Sequence, residues 1–234
     1  MITLTYFFPL FIYASLALCI LISYRAAKII NLSLGSIFTL GGYLSIFSPL
    51  ISPIFGALIG FLLHVCTKKM DLAKASLFSL GLAIIIEEVL RIIFRVEYTL
   101  LKSEIIVLFN FKLILEHFIA FLVSMIFLVL FLIFGLINSL SRIKLKIIEE
   151  DLENAVIYGI NIEKVRVIIL VISSALFCSL GSLYLAGRII NPTIGWIYLI
   201  FSFLIATIAN AFKEKAYISI LPISFLVWLL SLLI

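Results

Sequence analysis

An all-α, polytopic bundle of transmembrane helices is the fold class this sequence predicts, and three observations carry the prediction. Hydrophobic residues fill 65% of the 234 positions and charged residues only 12%, against an apolar share of roughly 45–50% in soluble domains. The mean hydropathy is +1.36. The apolar residues also gather into about eight runs, most of them near the roughly 20 residues a helix needs to cross a ~30 Å hydrocarbon core.

These runs lie at 4–24, 29–48, 50–66, 73–94, 113–138, 165–187, 194–211 and 216–234, within a single transmembrane domain spanning 1–234. The first has no Lys or Arg before Arg25, so it lacks the cationic start of a cleavable signal and is expected to be retained, with Met1 outside. The second places Asn31, Ser33, Gly35, Ser36, Thr39, Gly41, Gly42 and Ser45 inside an apolar stretch. Two readings fit it: small residues that let helices approach closely, or a broken helix whose freed backbone groups line a passage.

The third run is short and opens on Pro53, so it is expected to pair with the second as a re-entrant or broken element. In the fourth, Glu87 and Glu88 fall about fourteen residues in, roughly 21 Å along a helix. Charges at that depth are costly and raise a functional question. The spacing of Glu87 and Arg91 also allows an i,i+4 ion pair that snorkels to the outer interface.

Between the fifth and sixth runs lies a polar segment, about 141–164, with Glu149, Glu150, Asp151 and Glu153. It reads as an acidic cluster, a short helix over Asn154 to Tyr158, a sharp exit at Gly159, and Asn161 as the cap of the next helix. The sixth run ends in Ser179–Gly187 (SLGSLYLAG), which echoes Ser33–Gly41 (SLGSIFTLG) at Ser, Leu, Gly, Ser and the last Gly. Such an echo fits either an internal transporter repeat or chance in a Leu-, Ile- and Ser-rich chain. The last two runs flank Lys213-Glu214-Lys215.

If the runs alternate from an outer N-terminus, twelve Lys and Arg face the cytoplasm. Five (Arg91, Arg95, Lys102, Lys112, Arg188) face outward, in keeping with the positive-inside rule. The acidic segment then lies in the cytoplasm. The net charge of +5 is expected to meet anionic lipid and calls for no nucleic acid.

Several chemistries find no support in the residues. Cys19, Cys66 and Cys178 are scattered without C-x-x-C spacing, and His64 and His117 fall at opposite membrane borders, so no metal site is expected. No G-x-x-x-x-G-K-[ST] loop is present; the chain is expected to hold no cofactor, and any ATP used is hydrolysed by a partner. No Gly-x-Ser-x-Gly elbow occurs either.

Taken together, Ile30-Asn31-Leu32-Ser33-Leu34-Gly35-Ser36 with Gly41-Gly42-Tyr43, then Glu150-Asp151-Leu152, Ala155 and Gly159-Ile160-Asn161, and finally Ile190-Asn191-Pro192 with Ile194-Gly195 resemble a permease of the branched-chain amino-acid ABC-importer family. The stretch Ala73–Ile93, with Ser79 and Gly81, is similar to the family's corresponding span. The chain departs from the family pattern at Leu34, where a histidine is usual, and after Pro192, where a Gly-rich stretch and further spans are usual.

The resemblance implies a plasma-membrane transport subunit, not an enzyme, that works with ABC ATPases, a second permease and an external substrate-binding protein. It implies a passage lined by Asn31, Ser33, Gly35, Ser36, Gly41, Gly42, Ser179, Gly181 and Ser182, and ATPase coupling through Glu150, Asp151, Ala155 and Gly159. Branched-chain or other hydrophobic amino acids are the implied substrates. The rival readings are a permease for urea, a sugar or a nucleoside, a degenerate permease or scaffold, and an intramembrane protease built on Glu87-Glu88-Val-Leu-Arg91, whose string is similar to an E-E-x-x-x-R signature.

Overall fold

The computed structural model describes residues 7–95, 99–101, 103–108, 111–131, 133, 139–150, 152–212 and 215–231. Its elements follow in chain order as α1 (Phe8–Arg25), α2 (Leu34–Leu44), α3 (Ser52–Thr67), α4 (Leu72–Phe94), β1 (Thr99–Leu100), β2 (Ile105–Leu108), β3 (Phe111–Ile114), α5 (Leu115–Phe131), α6 (Ser139–Glu150), α7 (Leu152–Ile157), α8 (Ile162–Tyr184), β4 (Ile189–Ile190), α9 (Gly195–Ala211) and α10 (Ala216–Ser231). Among the described residues the regular structure is helical except for two short antiparallel ribbons, β1 with β4 and β2 with β3.

Each apolar run corresponds to one helix, but the helices differ in reach. α1 and α8 are long and apolar enough to cross a membrane, while α2, α3, α5, α9 and α10 are apolar and shorter. α4 has 23 residues and carries Glu87, Glu88 and Arg91.

The second run holds only the 11 residues of α2, about 16 Å of helix at 1.5 Å per residue. Ahead of it, the link 28–33 is not helical, and Lys28 adopts a left-handed φ of 52°. Non-helical backbone at membrane depth persists only where its polar groups find partners. Two serines of α4 provide them: Ser76 Oγ accepts from the Ile30 amide at 3.2 Å, and Ser79 Oγ accepts from the Leu32 amide at 3.0 Å. Ser79 Oγ also lies 3.2 Å from the Ile30 carbonyl. The third run is a continuous helix, α3, with Pro53 in its first turn, where its missing amide proton costs nothing.

α8 is the axis around which α2, α3, α5 and α1 pack. Its seams are made by glycine. A Cβ on Gly41 would overlap the Cys178 carbonyl of α8, and one on Gly181 would overlap the Phe38 carbonyl of α2. Gly56 and Gly60 of α3 meet the Ser174 and Leu170 carbonyls of α8 in the same way. Lipid gives helices little hydrophobic reason to associate, so close backbone contact of this kind supplies much of the cohesion. α9 joins α2 at Gly195 against Gly35, where the Gly195 amide donates to Thr39 Oγ1 at 2.9 Å.

The stretch between α4 and α5 contains the β2–β3 ribbon, and β1 pairs with β4 so that Thr99 faces Ile190. The expected Glu87–Arg91 ion pair is corrected. Arg91 pairs with Glu88, at 2.9 Å and i,i+3, rather than with Glu87. Glu87 turns inward, 7% exposed, and accepts from the Trp196 indole of α9. The helix phase explains the split: residues one apart on a helix point about 100° away from each other, so one carboxylate meets α9 and the other the open face.

Candidate functional site

The segment from α6 to the start of α8 is built by three local rules. In the last turn of α6, Ile148 is buried beside Ala26, just after α1, and Ala155 of α7, while Glu150, the last residue of α6, is exposed and pairs with Lys146 at 3.8 Å. α7 then closes on Gly159. The Ile160 amide reaches back to the Ala155 carbonyl at 3.0 Å and the Gly159 amide to the Val156 carbonyl at 2.9 Å, the paired bonds of a Schellman ending. Gly159 sits at φ +73°, with nothing near its Cα that a side chain would meet, so glycine is required there by backbone conformation alone. Asn161 caps α8 by accepting from the Lys164 amide at 3.0 Å.

Ala155 is fully buried against α1, so it faces its own bundle rather than a partner. The side chains presented outward are Val156, Ile157 and Tyr158, at 62%, 80% and 71% exposure. Three consecutive exposed apolar groups at the tip of a polar segment form a contact surface. Residue type alone does not mark them, because a six-residue helix has no reliable phase until it docks. Of the other expected coupling residues, Glu150 and Gly159 are exposed beside this tip, and Asp151 lies outside the described residues.

Behind the tip, a polar cluster ties the segment to the helix ends. Arg25 of α1 donates from Nη1 to Glu149 Oε2 at 3.3 Å and from Nε to Asn210 Oδ1 of α9 at 2.8 Å. The Tyr217 hydroxyl of α10 donates to Glu149 Oε1, and Lys28 Nζ donates to the Glu149 carbonyl at 2.9 Å. The Arg25 guanidinium lies 5.5 Å from the centre of the Tyr217 ring. One residue of α6 thus touches the ends of α1 and α10 and, through Arg25, the end of α9. Arg166 of α8 adds a link to α3 by donating to the Thr67 carbonyl at 2.9 Å, and Glu163 pairs with Lys68 at 3.1 Å.

A cavity of about 740 Å³ opens beside this cluster, lined by Arg25, Lys28, Glu149, Glu150, Asn210 and Tyr217 among others. A smaller apolar pocket of about 250 Å³ adjoins it between α1 and α9, and Tyr24 and Asn210 line both.

The expected passage residues fall in the seams between α2, α8 and α9. Ser33, Ser36 and Ser182 are buried, and the hydroxyls of Ser36, Ser179 and Ser182 bond to carbonyls one turn back in their own helices. Gly35, Gly41 and Gly181 stand at backbone contacts with neighbouring helices, and Gly42 meets the Leu185 side chain. These glycines therefore do the work of close packing. Asn31 is 3% exposed; its Oδ1 accepts from Ser33 N and Oγ at 3.2 and 2.6 Å, while its Nδ2 has no partner among the described residues.

At the other end of α8, Arg188 donates to the Tyr198 hydroxyl at 3.1 Å and stacks 4.3 Å from the centre of the Tyr184 ring. Its carbonyl accepts from the Leu101 amide at 3.1 Å, which joins this corner to the β1–β4 ribbon. Among the described residues no group of three His, Cys, Asp or Glu is placed to hold a metal ion.

A family model described as branched-chain amino acid transport system, permease component, matches residues 2–234. No curated protein and no solved structure matches the chain.

Proposed function

The chain belongs to the branched-chain amino acid transport permease family, and on that premise we propose that it is the channel-forming subunit of an ATP-binding-cassette importer for branched-chain and other hydrophobic amino acids. It spans the plasma membrane with its first helix entering from outside. Partner ATPases bind and hydrolyse ATP on the cytoplasmic side, a second permease of the same or related sequence completes the channel, and an external binding protein delivers substrate.

The observation that carries this reading is the α6–α7 segment. Its apolar tip, Val156, Ile157 and Tyr158, is rigidly presented by the Gly159 turn and rooted in the helix ends by Glu149. Burying one such side chain against a partner contributes ~1.5–3 kcal/mol, so three of them suffice to anchor a short helix in an ATPase groove. Movement of that groove then pulls on α1, α9 and α10 through one cluster. Glu150 supplies charge that steers docking more than it holds it, a role Asp151, outside the described residues, is proposed to share by its charge; Ala155 acts by seating the helix beside Ala26.

The passage follows the seam marked by Asn31, Ser33, Gly35, Ser36, Gly41, Gly42, Ser179, Gly181 and Ser182. Its support is the buried and unpartnered Asn31 Nδ2 next to the unwound link before α2, since irregular backbone and free polar groups at depth mark solute routes. Neutral groups of this kind can hold a zwitterion and still release it.

Co-purification of the chain with its candidate ABC ATPases tests the docking surface. Ile157→Asp is expected to weaken association at least tenfold while the detergent-purified permease keeps its thermal stability, because the side chain makes its contact only with the partner. Equal recovery of the ATPase with native and Ile157→Asp protein would remove this surface from the account.

A further inference from the structure

We propose that the groove between α5 and α8, closed at one end by α6, holds one acyl chain of an anionic phospholipid whose headgroup is met by Lys164 and Lys144.

A narrow apolar cavity of about 310 Å³ lies in that groove, with the buried Cys19 of α1 on its floor. Three helices fix its direction. Towards the α6 end it is lined by Ile22 of α1, Phe131 of α5 and Ile168 of α8; about one turn further away stand Cys19, Phe127 and Ile172 of the same helices. The levels agree on all three, so the cavity runs along the helices rather than across them. On α8 the lining extends from Val165 to Ser173, about 12 Å at 1.5 Å per residue. The volume spread over that length gives a cross-section of roughly 26 Å², the girth of a single polymethylene chain. A helix is ~10 Å across and cannot enter, so a neighbouring subunit laid over the groove would leave it empty.

The groove opens outward. Ile168 and Ile172 are 54% and 48% exposed on α8, a helix long and apolar enough to cross a membrane. A tail that enters from the bilayer gains little from the hydrophobic effect, since the lipid it leaves is as apolar as the groove. Its gain is close packing against fixed side chains. The choice among lipids therefore falls to the headgroup.

Charge at the α6 end makes that choice. Lys164 lies four residues before Ile168 and eight before Ile172, so it continues their stripe one turn beyond the apolar lining. Lys144 precedes Leu145, the α6 residue that closes the groove. Both lysines are exposed, and among the described residues neither takes part in an ion pair. Neighbouring carboxylates are engaged elsewhere, Glu163 with Lys68 and Glu150 with Lys146. Lysine stems can lie on the apolar rim while their ammonium groups reach the level of lipid phosphates. A second copy of the chain would bring its own basic rim to this place, and like charges oppose that contact. A seated tail packs on Leu145 and so secures α6, the helix that carries Glu149.

Native mass spectrometry of the full chain tests the site, after purification in mild detergent and incubation with equimolar dioleoylphosphatidylglycerol and dioleoylphosphatidylcholine. One tightly held lipid per chain is expected. Phosphatidylglycerol should be favoured about 25-fold, since each lysine near the membrane surface contributes about fivefold. Lys164→Gln and Lys144→Gln should each cut that preference about fivefold and leave phosphatidylcholine retention unchanged. Ile168→Trp fills the groove from an exposed position, so the protein should stay monodisperse while it loses retained lipid of both kinds at least tenfold; Ile172→Trp should do the same one turn deeper. Undiminished retention in a folded tryptophan variant, or a preference that survives the loss of both lysines, overturns the site. So does a shift of Ile168→Trp from dimer to monomer in light scattering with lipid retention unchanged, which would assign the groove to a second copy. Each of these outcomes leaves the transport reading untouched.

Discussion

Gly181→Val is expected to leave almost no correctly folded protein. The Cβ alone would overlap the Phe38 carbonyl and crowd the Phe38 Cα, and these are backbone atoms that cannot rotate away. Overpacking a well-filled core costs typically ~1–3 kcal/mol and more where nothing yields; here α2 and α8 must separate, and the seam between them lies at the centre of the bundle. Gly41→Val should behave alike, because it meets the Cys178 carbonyl from the other side of the same seam. Gly81 is the control: it stands on α4 with nothing within reach of a Cβ, so Gly81→Ala is expected to be neutral or slightly stabilising through helix propensity. Size-exclusion profiles and thermal unfolding in detergent decide the matter. A monodisperse Gly181→Val protein that melts with the native chain would show that α2 and α8 do not meet at this seam.

Glu149→Lys is expected to abolish coupling while the helices remain assembled. The substitution removes the acceptor for Arg25 and for the Tyr217 hydroxyl and puts a third cation beside Arg25 and Lys28. Breaking a buried ion pair costs ~3–5 kcal/mol. The Arg25 and Glu149 side chains keep 13% and 19% exposure, so about 2 kcal/mol is the reasonable scale after screening. That is a modest loss for the fold, yet the cluster is the main polar tie between α6 and the helix ends. ATP hydrolysis by the assembled complex should therefore continue without accelerating when substrate is supplied. The exchange Arg25→Glu with Glu149→Arg should recover part of the coupling, since residues in one ion-pair network interact by roughly 0.5–3 kcal/mol in double-mutant cycles. Substrate-stimulated hydrolysis in Glu149→Lys at the native level would show that force passes by another route.

These expectations rest on features that differ in how far sequence reveals them. The cap at Asn161 and the turn at Gly159 are readable from residue type alone, because each needs only local backbone: the Lys164 amide bond and the +73° φ both lie within a few residues. The helices themselves follow from apolar runs for the same reason. The shortness of α2 is hidden, since hydropathy stays high over 29–48 while the break is held open by Ser76 and Ser79, some 46 to 49 positions away. Glu87 is hidden likewise. An i,i+4 arginine suggests a local pair, but the indole that takes the carboxylate belongs to Trp196, 109 positions on.

The coupling segment shows the limit most clearly. Its charges mark it as a segment that meets water, and its order of residues supports the family resemblance. Which face turns outward depends on the docking of Ala155 and Ile148 against Ala26, a contact between distant parts of the chain. That docking buries one expected contact residue and exposes Val156, Ile157 and Tyr158 instead. In the same way, Gly35, Gly41 and Gly181 are conspicuous in the sequence, but only the helix crossings show that their missing side chains are filled by neighbouring backbone.

ATP-driven accumulation of labelled leucine in proteoliposomes tests the central claim most directly. The vesicles would hold this chain, its partner permease and its ATPase, with the binding protein supplied outside. The account predicts uptake that requires ATP and the binding protein and that is lost with Ile157→Asp, although the variant inserts and melts as the native chain does. No ATP-dependent uptake of any branched-chain amino acid by the complete assembly, or undiminished uptake with Ile157→Asp, would contradict it.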